Sequence, residues 1–143
     1  MPKMIFVNLP VADVARATAF YETLGFEKDA RFSGPHASSM KWSDGVIVGL
    51  LDRGFYATLT PKRIIDARQD SGVLLAIARD SRAEVDAIAE AALAAGGREA
   101  HGPEDQGFMY SRGFEDLDGH GWGPFYMDVA AFEAAQASVA ESA

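Results

Sequence analysis

The chain contains no cysteine, so disulfides, thiolate metal sites and cysteine nucleophiles are all excluded. It has no apolar run near the ~20 residues needed to span a bilayer. Its start, MPKMIFVNLP, leads directly into strand-like sequence without the apolar core of a secretion signal. A cytoplasmic protein is therefore the expectation. Basic residues are scarce: 13 Lys and Arg stand against 21 Asp and Glu, a formal net charge of −8 in 143 residues. No cluster of Lys and Arg forms the stripe that would neutralise phosphates, so neither nucleic acid nor an anionic membrane surface is an expected partner. Acidity of this size serves solubility first and leaves a cationic ligand permissible.

What is present is an ordinary globular composition, 48% hydrophobic and 24% charged, and a pattern that occurs twice. Residues 4–9 read as a strand, with Pro10 ending it or sitting at a sheet edge. Asp13 suits the N-cap of a helix whose apolar stripe is Val14, Ala17, Phe20, Tyr21 and Leu24, and Gly25 stops it. Strands follow near 37–42 and 45–51 around the Asp44-Gly45 turn. A further strand over 53–59 and a short helix from Thr60-Pro61 to about Arg68 complete the half. The order then repeats. Residues 72–78 are an apolar strand, and Ser81 to Glu84 is a capping box. Val85, Ile88, Ala92 and Leu93 form a helical stripe that Gly96-Gly97 ends. Residues 98–101 are extended before a Gly102-Pro103 turn. Strands at 107–115 and 120–127 flank the Asp118-Gly119 turn.

A supersecondary unit that repeats whole implies an α+β fold. Two βαβββ modules form a curved mixed sheet around a cleft. Residues 1–128 are one domain, with halves at about 3–60 and 72–128 joined by a short helix near 61–69. Residues 129–143 read as a C-terminal helix or tail capped by Asp128, with Phe132 its only large apolar side chain.

The opening stretch, Asn8 to Asp13 followed by Ala19-Phe20-Tyr21 and Leu24-Gly25-Phe26, resembles the vicinal oxygen chelate superfamily. So does the closing stretch from Phe114 through Asp116, Asp118-Gly119-His120 and Trp122. That superfamily includes glyoxalase I, bleomycin-resistance proteins and extradiol dioxygenases, and the nearest likeness is to bacterial lactoylglutathione lyase-like proteins. The resemblance covers about residues 4–128 and implies the glyoxalase/bleomycin-resistance fold, commonly as a homodimer. It also implies a divalent metal held by His and Glu side chains, one from each of four strands. Here those positions fall at Phe6, at Val48 or Leu50, at Val73 and at Gly123. None offers a lone pair to a cation, so no metal or other cofactor is expected.

Asn8 lies two residues beyond Phe6 and shares its strand face, where an amide can meet a ligand carbonyl or hydroxyl or make a structural hydrogen bond. Tyr110 and Arg112 share one face of a later strand. Arg112 can pair with a carboxylate or phosphate of a ligand, or with Glu115 or Asp116. Phe6 and Trp122 are candidates for an apolar cleft wall, although aromatic residues in strands are core by default. His36, His101 and His120 lie at turns or loops and read as exposed polar residues. His101 with Glu104 and Asp105, or Asp116 and Asp118 with His120, would make a cation site only if turn chemistry did not already account for them.

The leading expectation is a glyoxalase-like protein that binds a small molecule, aromatic or cationic, without a metal. The alternative is a metal-dependent lyase or isomerase of the lactoylglutathione lyase type, or an extradiol dioxygenase, using a displaced site. A third reading makes Tyr110 an acid and lets Arg112 steer an oxyanion without a metal.

Overall fold

Strand β1 (Ile5–Val11) begins a computed structural model that describes residues 3–142. Residues 1–2 and 143, the ends of the expected domain and tail, lie outside the described residues. Helix α1 (Val14–Thr23) starts where Asp13, in extended conformation, accepts from the Arg16 N–H at 3.1 Å. It ends at Leu24, and Gly25 turns the chain away at φ +97°, a value side chains with a Cβ rarely adopt. Strands β2 (Glu27–Lys28), β3 (Ala37–Ser43) and β4 (Val46–Asp52) complete the first half. They give the sheet order β1-β4-β3-β2, with β1 parallel to β4 and the remaining pairs antiparallel.

The second half repeats this plan with β5 (Leu74–Ala78), α3 (Arg82–Ala94), β6 (Arg98–Asp105), β7 (Met109–Glu115) and β8 (Gly121–Met127) in the order β5-β8-β7-β6. Ser81 accepts from the Glu84 N–H at 3.1 Å. The Glu84 carboxylate reaches back to the Asp80 N–H at 2.8 Å, one residue further than a standard capping box. Between the halves lie the short helix α2 (Arg53–Tyr56) and an irregular linker; α4 (Val129–Ser142) follows β8. Phe132 of α4 packs against Phe108 with the rings tilted 60° and their centres 5.2 Å apart, which docks the C-terminal helix on the domain. Among the described residues no helix is long and apolar enough to cross a membrane.

Three local expectations are corrected. Residues 53–59 are not a strand, because Asp52 caps α2 by accepting from the Phe55 N–H at 2.7 Å. Residues 61–69 form turns rather than a helix. Thr60 Oγ1 accepts from the Lys62 N–H at 3.2 Å and Asp66 Oδ1 from the Arg68 N–H at 3.0 Å, so side-chain oxygens compete with helical pairing. Gly102-Pro103 does not end β6. The strand runs through it with shifts in register, and Pro103 is tolerated because β6 is an edge strand.

One core joins the halves. Leu9 and Val11 of β1 and Val48 and Leu50 of β4 point toward α1, and Tyr21, with Phe20 packed on it, and Phe26 meet Trp122 of β8. Side chains alternate along a strand, so Phe6 and Asn8 lie on the opposite face, away from α1. The register sets Phe6 beside Ile47 and Asn8 beside Gly49 on that open face. In the second sheet Ile77, Phe114 and Trp122 are buried in the core, while Leu74, Gly121 and Gly123 occupy the open side.

Candidate functional site

A cavity of about 670 Å³ opens where residues from the open faces of both sheets come under the linker 60–73. That volume falls within the ~300–1,000 Å³ typical of small-molecule pockets. Asn8 and Pro10 of β1, Leu74 of β5, Glu115 of β7 and His120 and Gly121 before and in β8 form its floor. Ile64, Ile65 and Val73 of the linker give it an apolar wall, and Lys62, Arg63 and Arg68 line the same segment.

Asn8 is held at this floor by a missing side chain. A Cβ at position 49 would run into Asn8 Oδ1, so only glycine lets the amide lie flat across β4. The Asn8 side chain makes no hydrogen bond to the described protein groups and is exposed, leaving its amide available. The linker is seated by a second glycine. Gly119 adopts φ +94°, and a Cβ there would come 2.7 Å from the Arg68 backbone nitrogen. The Arg68 guanidinium donates to the Leu117 carbonyl at 2.6 Å, tying the linker to the β7–β8 turn.

His120 is 6% exposed, contrary to the exposed loop residue expected from sequence. Its Nε2 lies 2.7 Å from the Pro10 carbonyl. A carbonyl only accepts, so Nε2 carries the proton and donates. Beside it, Asp116 Oδ1 accepts from the backbone N–H groups of Asp118 and His120, both at 2.9 Å. Tyr21 donates to Asp116 Oδ2 at 2.5 Å, and the Trp122 indole donates to the Tyr21 oxygen at 2.9 Å. Burial raises the Asp116 pKa above the ordinary carboxylate range. Burial, then the Asp116 charge, raises the Tyr21 phenol well above its usual value. The network stitches α1 to β8 behind the cavity. Asp118 accepts from the Ala12 N–H at 2.9 Å, so this acidic turn is occupied by structural bonds rather than arranged around a cation.

The residues expected to form a site are thus dispersed. Asn8 lines the large cavity. Phe6, 49% exposed, lies instead in a separate recess of about 130 Å³ with Phe32, Lys41 and Ile47. Trp122 is 5% exposed and belongs to the core, because its position in β8 faces Tyr21 rather than the open side. Tyr110 and Arg112 face α3, on the same side of β7 as the core residue Phe114. Tyr110 donates to Asp86 at 2.6 Å, and that bond raises its pKa, making it a weaker acid than a free tyrosine. Arg112, 6% exposed, meets Asp86 at 3.3 Å, Glu90 at 2.8 Å and Glu99 at 3.6 Å. Its partners are carboxylates of α3 and β6, not Glu115 or Asp116. The His101 ring lies over Gly113, and His101 Nδ1 stands 3.7 Å from Glu104, while Asp105 turns to Arg82. His36 is exposed beside Asp52.

The ligand positions implied by the resemblance also shift. Val48 and Leu50 point into the core, and the residues on Phe6's face are Ile47 and Gly49. Gly123 does lie on the open side, and Val73 lines the cavity. Ile47 and Gly49, like Phe6, Val73 and Gly123, have no side-chain donor for a cation. Among the described residues no three His, Asp or Glu gather as a metal-holding group.

Residues 3–33 match the bleomycin resistance protein-like N-terminal family. A glyoxalase/bleomycin resistance protein/dioxygenase family enzyme from Burkholderia phytofirmans is similar over 88% of this chain and 99% of its own, with a TM-score of 0.75 and 18% identity. The fold is the glyoxalase/bleomycin-resistance fold. A protein from Agrobacterium tumefaciens, solved in solution, covers 89% of this chain and 98% of its own at 26% identity and TM-score 0.69. The fosfomycin resistance protein FosX from Mesorhizobium loti covers 88% and 92% at 16% identity and TM-score 0.65. No curated protein sequence matches the chain significantly.

Proposed function

We propose that this vicinal oxygen chelate-fold protein binds a small molecule in the inter-half cavity and does so without a metal. The observation that carries the reading is the cavity itself. Its volume suits a ligand, its walls are largely apolar, and its floor offers a few polar groups led by the unpartnered Asn8 amide. The donor-free side chains at the implied ligand positions support the metal-free part, since a hard or borderline cation needs nitrogen, oxygen or thiolate donors.

An amide-resolved NMR screen of small fragments tests binding. Shifts clustered at Asn8, the linker and His120 are the expected result, and the absence of any such cluster at millimolar fragment overturns the reading. Metal analysis of protein purified without chelators tests the rest. Stoichiometric Ni, Zn, Mn or Fe would replace it with the metal-dependent lyase or dioxygenase alternative. We also propose pairing as a homodimer. The edge strands β1 and β5 each carry exposed apolar side chains, Ile5 and Phe6 on one and the 79% exposed Leu74 on the other. Light scattering should give twice the mass of one chain, and a monomer at micromolar concentration would refute the pairing.

A further inference from the structure

We infer that the cavity's ligand is an anion, a small molecule with a carboxylate or phosphate at one end and an apolar body; this rests on the binding role proposed above. The chain as a whole carries −8, yet one wall of the cavity concentrates cations. Lys62, Arg63 and Arg68 fall within seven residues of linker, and all three line the cavity.

Elsewhere five of the ten lysines and arginines are paired, and the five without an ion pair among the described residues, Lys3, Arg16, Lys28, Arg53 and Arg98, do not line the cavity. Arg31, Lys41, Arg79, Arg82 and Arg112 each meet a carboxylate. Lys62 and Arg63 meet none among the described residues. Asp66, the one carboxylate within their stretch, spends an oxygen on the Arg68 backbone N–H and so holds the turn instead of neutralising them. Arg68 is anchored to Leu117, leaving its neighbours as the free charges of the wall.

The carboxylates that line the cavity are Asp70 and Glu115, so the wall still carries one more cation than anion, against the sign of the whole molecule. A cationic ligand would meet uncompensated like charge at Lys62 and Arg63. An oxyanion would complete them, and a guanidinium can bind it through two parallel N–H bonds. Ile64, Ile65, Val73 and Leu74 then cover an apolar body, while Asn8 is placed to pair a polar group on it. The sign is opposite to the cationic preference that the net charge alone leaves open.

The test compares four probes that share a six-carbon chain: hexanoate, hexyl phosphate, hexan-1-ol and hexylamine. Calorimetry and NMR titration would be run on the full chain and on its K62A/R63A variant. Both changed side chains are exposed, and circular dichroism checks that the fold is kept. At least one anion should bind about three- to tenfold more tightly than hexanol, the range expected for one or two exposed charge pairs. Comparing hexanoate with hexyl phosphate tells which oxyanion is preferred. K62A/R63A should lose this preference, its anion affinities falling to that of hexanol measured on the same variant, and K62E/R63E should favour hexylamine. Hexanol binding as tightly as both anions, or a preference that survives in K62A/R63A, overturns the inference alone. Failure of all four probes to shift cavity residues overturns the proposed binding role with it.

Discussion

Replacing Tyr21 by Phe removes one oxygen and two hydrogen bonds from the seam between the halves. The Trp122 indole N–H, in a side chain 5% exposed, loses its acceptor at 2.9 Å. Asp116 Oδ2 loses its donor at 2.5 Å, although Oδ1 keeps two backbone N–H groups. An orphaned buried neutral donor costs about 1–3 kcal/mol and a hydrogen bond to a charged group contributes about 1.5–3 kcal/mol, so the lower ends sum to about 2.5 kcal/mol. Relief from burying the phenol oxygen offsets part of this, and a loss of about 2–3 kcal/mol is expected. Urea unfolding followed by tryptophan fluorescence measures it, with the slope checked for constancy. A cycle with Asp116→Asn should show coupling of about 1 kcal/mol or more, because the two groups touch. A Tyr21→Phe cost below about 0.5 kcal/mol, or strictly additive single variants, would refute the claim that this network holds the halves together.

Four further outcomes follow from the same geometry. Tyr21 titrates above its unfolded value near pH 10, so between the two values the native chain holds a proton that the unfolded chain has lost. Its contribution is therefore complete below about pH 10 and is lost as pH rises toward the folded value. Absorbance at 295 nm should show Tyr21 failing to ionise until unfolding and Tyr110 delayed by its bond to Asp86, and Tyr21→Phe should remove only the Tyr21 part of that lag. Gly49→Ala should cost less than about 1 kcal/mol, because its new methyl meets chiefly the end of a mobile side chain, yet it should displace Asn8 and weaken fragment binding in the NMR screen. Gly119→Ala should cost more than the ~1–2 kcal/mol of a left-handed residue with a Cβ, since that Cβ also meets Arg68 and Ala67 backbone, and thermal unfolding measures it. Arg112→Ala should destabilise by about 1–2 kcal/mol, chiefly through the lost packing of a buried side chain, since Asp86, Glu90 and Glu99 are about half exposed and return to water, while cavity-binding affinity measured on the folded fraction stays unchanged.

The fold was legible because its signals are local. Asp13 and Ser81 cap helices within three residues of themselves, and Gly25 and Gly119 sit at positive φ where the turns require it. The site was less legible because it depends on which face each strand turns inward, and that is settled by partners far away in the chain. Trp122 is drawn into the core by Tyr21, 101 residues earlier, and His120 is buried by a bond to Pro10, 110 residues earlier. The Asp-x-Asp-Gly-His turn was visible, but nothing within it announces that β1 closes over the imidazole. Tyr110 and Arg112 were correctly paired on one face of β7, and the face proved to be the one under α3. The acids at Asp86, Glu90 and Glu99 that bind Arg112 were in the sequence, and helical spacing puts Asp86 and Glu90 one turn apart. Net charge is silent about the site for a related reason. A sum over 143 residues cannot register that Lys62 and Arg63 remain unpaired at the one wall where a ligand would meet them. The same separation of scales accounts for the metal positions. Residue identities rule out donors at Phe6, Val73 and Gly123 without any structure, whereas choosing between Val48 and Leu50 required the register, which selects neither.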